Sequence, residues 1–324
     1  MEQFPKDSDG PLGSEGDLQD PAGEIRAGFI ALVGDSNAGK STLLNALIGE
    51  RIAITAPKPQ TTRRRIQGIK TTETAQFVFV DTPGFIKGSA RSELNRSLLR
   101  EAFDAMSGVD LRVLVIDAAR AAKEPGRFES LHKLFAGRDS QPDVIVLNKV
   151  DILEKEALLP QIAAINELFG ADGRTPIVVP VSARRSEGLD VLFAELERLL
   201  PLGPQMFDAE AMTDQSEREI AAERVREKAI MYLEKEIPYQ LAVAVEEWKE
   251  SEKGLDISAV IYVGRSSHKP IVVGKGGSMI KKIGIAARAD LEKFFCTHVN
   301  LRLFVSVKKD WTESKAGLRR VGLE

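Results

Sequence analysis

The sequence is poor in cysteine, histidine and aromatic side chains, and each shortage removes a class of function. A single cysteine, Cys296, among 324 residues excludes an internal disulfide and any cluster of thiolate metal ligands. It suits a reducing compartment. The three histidines, His132, His268 and His298, show no ligand or triad spacing and are assigned no chemistry. No run approaches the roughly 18 apolar residues of a membrane span. The N-terminus has no basic segment ahead of an apolar core, so no secretory signal is expected. Peripheral membrane contact is left open. A net charge of only −3 gives no overall pull toward nucleic acid, but the charge is unevenly spread. From Tyr262 onward there are 13 Lys/Arg against 5 Asp/Glu, whereas Gln205–Ile261 carries 7 against 14. A basic end follows an acidic segment.

What is present reads as a globular chain, 43% hydrophobic and 29% charged, long enough for two domains. Residues 1–25 are acidic and rich in Gly, Pro and Ser, with little to bury, and are expected to be a disordered tail. Over 26–200, apolar runs alternate with helical stretches. "GFIALVGD", "AQFVFVDTPG", "LRVLVIDAA", "PDVIVLNKVD" and "PIVVPVSA" read as buried strands, each ending in polar punctuation. Lys40–Gly49, Arg91–Ser107, Ala157–Leu168 and Leu189–Leu200 read as helices. This order predicts an α/β unit, a parallel sheet with helices on both faces and ligands at the strands' carboxyl ends. Residues 201–213 read as a linker. Beyond it, 214–324 predicts a smaller α+β unit in the order α-β-β-α-α-β, its first helix capped by Asp214 with Glu217.

"GDSNAGKS", Gly34–Ser41, matches G-x-x-x-x-G-K-[ST] between a predicted strand and helix. Gly34 and Gly39 let the backbone wrap phosphates, Lys40 reaches the β- and γ-phosphates, and the Ser41 hydroxyl ligates Mg²⁺. Asp35, Ser36, Asn37, Ala38 and Thr42 complete the binding stretch. "DTPG" puts Asp81 where it can hold Mg²⁺ through water and the Gly84 N–H where it can meet the γ-phosphate. "NKVD", holding Asn148, Lys149 and Asp151, selects the base: a carboxylate accepts from guanine N1–H and the exocyclic amine together, and adenine has no donor at N1. After the next strand come Ser182 and Ala183, whose N–H can donate to guanine O6. Four such motifs, in order and each at a strand end, specify a guanine-nucleotide site.

With these motifs, Gly28–Leu200 resembles the G domain of translation-factor-related GTPases, a P-loop NTPase fold. "ITAPKPQTTRRRIQG" is similar to switch I of the bacterial Era family. That resemblance implies contact with Mg²⁺ and the γ-phosphate for Thr62, with Thr61 the alternative. Where related enzymes place a water-orienting glutamine, this chain has Phe85, so slow intrinsic hydrolysis is expected. Resemblance to GTPases with an "NxGKS" loop implies that Asn37 can ligate K⁺. The family's usual proline is replaced by Ser36, a departure expected to leave the chemistry unaffected.

A second glycine loop, "VGKGGSMIKKIG", contains Gly274, Lys275, Gly276 and Gly277. It lacks the P-loop spacing and is followed by no base-reading motif. Within an α-β-β-α-α-β unit, a G-x-x-G loop fits a type II KH domain, which clamps single-stranded RNA backbone. Lys269, Lys275, Lys281 and Lys282 surround it, with Arg288, Arg302, Lys308 and Lys309 nearby. "VREK", "IPY", "RADLEKFF" and the terminal "W…LRRVG" extend the Era resemblance to roughly Ala27–Leu323. It implies a GTPase that uses GTP/GDP and Mg²⁺, binds the 3′ end of 16S ribosomal RNA and assists small-subunit assembly. A cytoplasmic monomer without a DNA partner is expected, with peripheral contact at the inner face of the cell membrane left open. The alternative is an RNA-binding assembly scaffold that holds GTP and barely hydrolyses it.

Overall fold

The computed structural model describes residues 25–56, 58, 62, 65–84, 100, 104–135, 141–170, 173, 175–309, 311–313 and 318–319. The expected tail lies outside them except for Ile25. Thr61 and Phe85 also lie outside, as does most of the expected helix Arg91–Ser107.

The first sheet contains β1 (Ile25–Gly34), β2 (Ile66–Thr71), β3 (Ala75–Asp81), β4 (Leu111–Asp117), β5 (Val144–Asn148) and β6 (Ile177–Val181). Its order is β2-β3-β1-β4-β5-β6. All neighbours are parallel except β2, which runs antiparallel to β3. The sequence reading placed no strand there: Gly68 interrupts "IQGIKT", and the segment adjoined the stretch read as switch I. All seven β3 residues are buried, as expected for a strand covered on both faces.

Alternate residues of each strand feed two cores. Ile30, Leu32, Val113, Val115 and Val146 pack under α1 (Lys40–Ile48), with Leu192 and Leu196 from a helix at the far end of the unit. Ala31, Val33, Leu114, Ile145 and Leu147 pack under α2 (Arg127–Phe135) and α3 (Leu158–Phe169). The far-end helix is α4 (Leu189–Leu199).

Residues 201–214 do not hang free. A short strand, β7 (Leu202–Gly203), pairs with the start of β1. Further along, the Ile69 N–H donates to Met212 O (2.9 Å), the Thr213 hydroxyl donates to Gln67 O (2.7 Å), and the Gln67 N–H donates to Asp214 Oδ1 (3.1 Å). Asp214 is therefore occupied by the sheet and does not cap the next helix. Ser216 caps α5 (Glu217–Tyr232) instead, in a reciprocal capping box with Glu219.

The second sheet has order β10-β9-β8, from β8 (Leu241–Ser251), β9 (Gly254–Val263) and β10 (Val299–Val307). β8 and β9 are antiparallel, whereas β9 and β10 are parallel. α5 and two further helices, α6 (Lys269–Val273) and α7 (Ser278–Phe295), cover one face through Val225, Ala229, Ile283 and Ala287. The alternation in β9 predicts one buried face, yet Val260 and Tyr262 are buried too, because Trp311 and Leu318 fold over the other side. The α-β-β-α-α-β order is as read from the sequence.

Candidate functional site

At the carboxyl ends of β1, β3, β5 and β6 lies a cavity of about 640 Å³. Its lining includes Ser36, Asn37, Gly39, Lys40, Ser41, Thr42, Thr62, Gly84, Asn148, Lys149, Asp151 and Ala183. Five separate stretches of sequence thus meet in one place. Gly34 and Asp35 lie just behind as acceptors for Lys40. The Lys40 ammonium donates to their carbonyls at 3.1 and 3.0 Å. Burial lowers its pKa to about 8, and Asp81 only partly offsets this. An anion in the cavity would raise that pKa again.

Three oxygens converge beside Lys40. Ser41 Oγ lies 2.6 Å from Asp81 Oδ2 and 2.8 Å from Thr62 Oγ1, and Thr62 Oγ1 is 3.3 Å from the same carboxylate oxygen. Asp81 is fully buried, and its Oδ1 has no hydrogen-bond partner among the described residues. Burial pushes the carboxyl upward despite Lys40 and the two hydroxyls. Two hydroxyls and a carboxylate with spare capacity form a hard-oxygen donor set, which fits Mg²⁺. Gly84 packs so tightly on Ser36 that a Cβ would lie 2.5 Å from the Ser36 nitrogen. The buried Ser36 hydroxyl has no partner among the described residues.

At the other end of the cavity, Asn148 acts as a strut. Its Nδ2 donates to Ala38 O (2.9 Å), and its Oδ1 accepts from the Ala183 and Lys149 N–H groups (3.1 and 2.8 Å). Gly39 has φ +97°, and a Cβ there would come within 2.3 Å of Asn148 Nδ2, so only glycine fits. Ser182 Oγ donates to Asp151 Oδ1 at 2.8 Å and fixes that carboxylate. Lys149 spans the site, donating to Asn37 O and Asp117 Oδ2 (both 2.6 Å).

The sequence reading missed Asp117, which ends β4, although a carboxylate at a strand's carboxyl end could have been flagged. It also missed Ile152 and Arg184, which line the cavity beside Asp151 and Ala183. Arg127, buried on α2, pairs with Asp35, and no sequence signal connected residues so far apart.

The glycine loop lies between α6 and α7. Gly274, Gly276 and Gly277 all have positive φ, and a Cβ on Gly274 would lie 2.6 Å from the Met279 nitrogen. Lys269, Lys275 and Lys281 are exposed around it. Alongside runs a groove of about 280 Å³ between α7 and β10, lined by Ile280, Lys281, Ile285, Arg288, Leu301 and Leu303. Lys282 is exposed as well and stacks over the Tyr232 ring at 4.3 Å, whereas Lys308 sits 5.4 Å from Tyr262 on the sheet's opposite face.

A family model described as "50S ribosome-binding GTPase" matches residues 29–149, and a KH-domain model matches 236–312. GTPase Era of Syntrophus aciditrophicus (strain SB) is 45% identical over 301 residues, covering 92% of this chain and 95% of that one. GTPase Era of Bordetella pertussis (strain Tohama I) is 40% identical and covers 93% and 99%. The chain belongs to the Era family of GTPases. An Era structure in complex with MgGDPNP and nucleotides 1506–1542 of 16S ribosomal RNA superposes with TM-score 0.85 at 35% identity, covering 92% of this chain and 99% of that one. Aquifex aeolicus Era bound to GDP·AlF4⁻ gives the same values. The Era assignment makes this chain a GTPase with a G domain and a KH domain. The larger cavity lies in the G domain and the groove lies in the KH domain.

Proposed function

We propose that this GTPase binds the 3′ end of 16S ribosomal RNA through its KH domain and serves assembly of the small ribosomal subunit. The observation that carries this reading is the pairing of two phosphate loops of different design in one chain. One closes on a cavity with a base-reading end; the other opens on a groove with apolar walls and basic edges. The Era complex with 16S RNA supports the choice of RNA. The "50S" in the family description belongs to a model that covers only 29–149 and does not reach the KH domain.

In the nucleotide site, Lys40 and the backbone of Gly34–Thr42 hold the phosphates. Ser41 and Asp81, joined by Thr62 of switch I, would hold Mg²⁺, which neutralises charge developing on the terminal phosphates. Gly84 N–H donates to the γ-phosphate. Asp151 accepts from guanine N1–H and the amine, Ala183 N–H would exchange its bond to Asn148 Oδ1 for one to O6, and Asn148, Lys149 and Ser182 brace them. Asn37 would hold K⁺ beside the phosphates. In the KH domain, Gly274–Gly277 clamps RNA backbone, Lys269, Lys275 and Lys281 neutralise phosphates, and Arg288 reaches the groove; Lys282 acts from its seat on Tyr232.

Cross-linking to a 16S 3′-end oligonucleotide tests this reading. Adducts should map to the loop and groove and be competed by unlabelled RNA but not by duplex DNA. Adducts confined to the G domain would refute it.

A further inference from the structure

Beyond α1 the chain runs toward Thr62; Ala53 is held by Asn45 and packs with Ile52 in the G domain's core, whereas Arg51, Thr55 and Lys58 are tied to the KH domain. The carboxylate of Glu227, on α5, is completely buried. It accepts the backbone N–H of Thr55 at 2.9 Å and pairs with the Arg51 guanidinium. Lys228 Nζ contacts its other oxygen at 2.9 Å. On α7, Asp290 receives Arg51 Nη1 and Arg224 Nη1, each at 3.0 Å, and Lys228 Nζ at 3.1 Å. Arg224 also donates to the Arg51 carbonyl at 2.7 Å and lies 4.0 Å over the Phe294 ring. Lys58 Nζ donates to the carbonyls of Ile230 and Leu233 at the end of α5, where the helix dipole favours a cation.

Within this cluster Arg224 and Glu227 both take main-chain partners across the domains, Arg224 the Arg51 carbonyl and Glu227 the Thr55 N–H, and of these two partners only Thr55 lines the nucleotide cavity. Asp290, Arg224 and Lys228 also tie α5 to α7 inside one domain. The main-chain partner of Glu227, Thr55, lines the nucleotide cavity beside Ile54 and Ala56. An ion pair made only for adhesion needs no main-chain partner. A carboxylate seated on a main-chain N–H fixes where the chain runs.

We propose that Glu227 is a positioning residue for GTP hydrolysis, supplied to the G domain by the RNA-binding domain. Through Thr55 it sets the path of the segment that delivers Thr62 to Ser41 and Asp81. The proposal rests on the reading of Thr62 as an Mg²⁺ ligand.

Two conservative variants separate positioning from charge. Glu227→Gln removes the charge but keeps an acceptor at the same reach for the Thr55 N–H. Glu227→Asp keeps the charge but withdraws the acceptor by about 1.5 Å, one carbon–carbon bond. Single-turnover hydrolysis is measured at saturating Mg·GTP, together with GDP affinity and thermal melting in GDP. The expected result is that Glu227→Asp loses roughly ten- to a hundredfold in rate, as misplacement on this scale costs. Glu227→Gln should keep at least about half of it, with GDP affinity held in both. The reverse order, or equal rates in both variants, would overturn the proposal. Thr62→Ala is assayed in parallel for Mg²⁺ dependence: if that dependence is unchanged, the Thr62 reading fails by itself, whatever the two Glu227 variants do.

Discussion

Lys40 is a cation housed where charge is disfavoured. With its pKa lowered to about 8, it is charged below that pH and loses its proton as pH rises through it. Phosphate favours the charged form, so binding nucleotide should draw a proton onto Lys40 near pH 8, where it is about half neutral, and hardly any onto Lys40 near pH 6.5. Affinity should fall as pH climbs above 8. Calorimetry in buffers of differing ionisation enthalpy should report uptake of about half a proton at pH 8. Asp151 carries a second residue-level prediction. Asp151→Asn should shift preference from guanine to xanthine nucleotides by roughly a hundredfold or more, read by competition binding, because a site built for a donor rejects its absence strongly. Several candidate site residues could be read from the sequence: Asp81, Asn148 and Ala183 follow apolar runs, and Ser41 completes the G-x-x-x-x-G-K-[ST] spacing. Arg127 could not, since its pairing with Asp35 exists only once α2 packs across the sheet.

At the scale of elements, α7 joins two jobs. Its first turn follows the glycine loop, and its Asp290 meets the G domain three turns later. Gly274→Ala would place a methyl against Met279 at φ +76°. It should weaken binding of the 16S 3′-end oligonucleotide by about tenfold or more while GDP affinity holds, as fluorescence anisotropy would record. The strands with continuous apolar runs were legible, and so was the α-β-β-α-α-β order. β2 was not, because an edge strand with a glycine in it carries too little apolar pattern to distinguish it from loop. The cap of α5 was misplaced by two residues for a similar reason: both Asp214 and Ser216 have the right chemistry, and only the claim of β2 on Asp214 decides between them.

At the scale of the molecule, the two sites share a body. If RNA alters GTP affinity through the seat of α5 and α7, GTP must alter RNA affinity by the same factor. Titrating a GTP analogue with and without the oligonucleotide checks this, and identical affinities would exclude coupling through binding. Turnover should be several-fold faster in KCl than in NaCl, and Asn37→Ala should remove the difference. The strap formed by 201–214 has its own consequence for handling the G domain. A fragment ending at Leu200 would leave the Gln67 and Ile69 backbone groups of β2 with no covering chain. A bare, flat strand margin invites another copy to zip on. Such a fragment should self-associate, and extending it through Asp214 should restore a single species in light scattering.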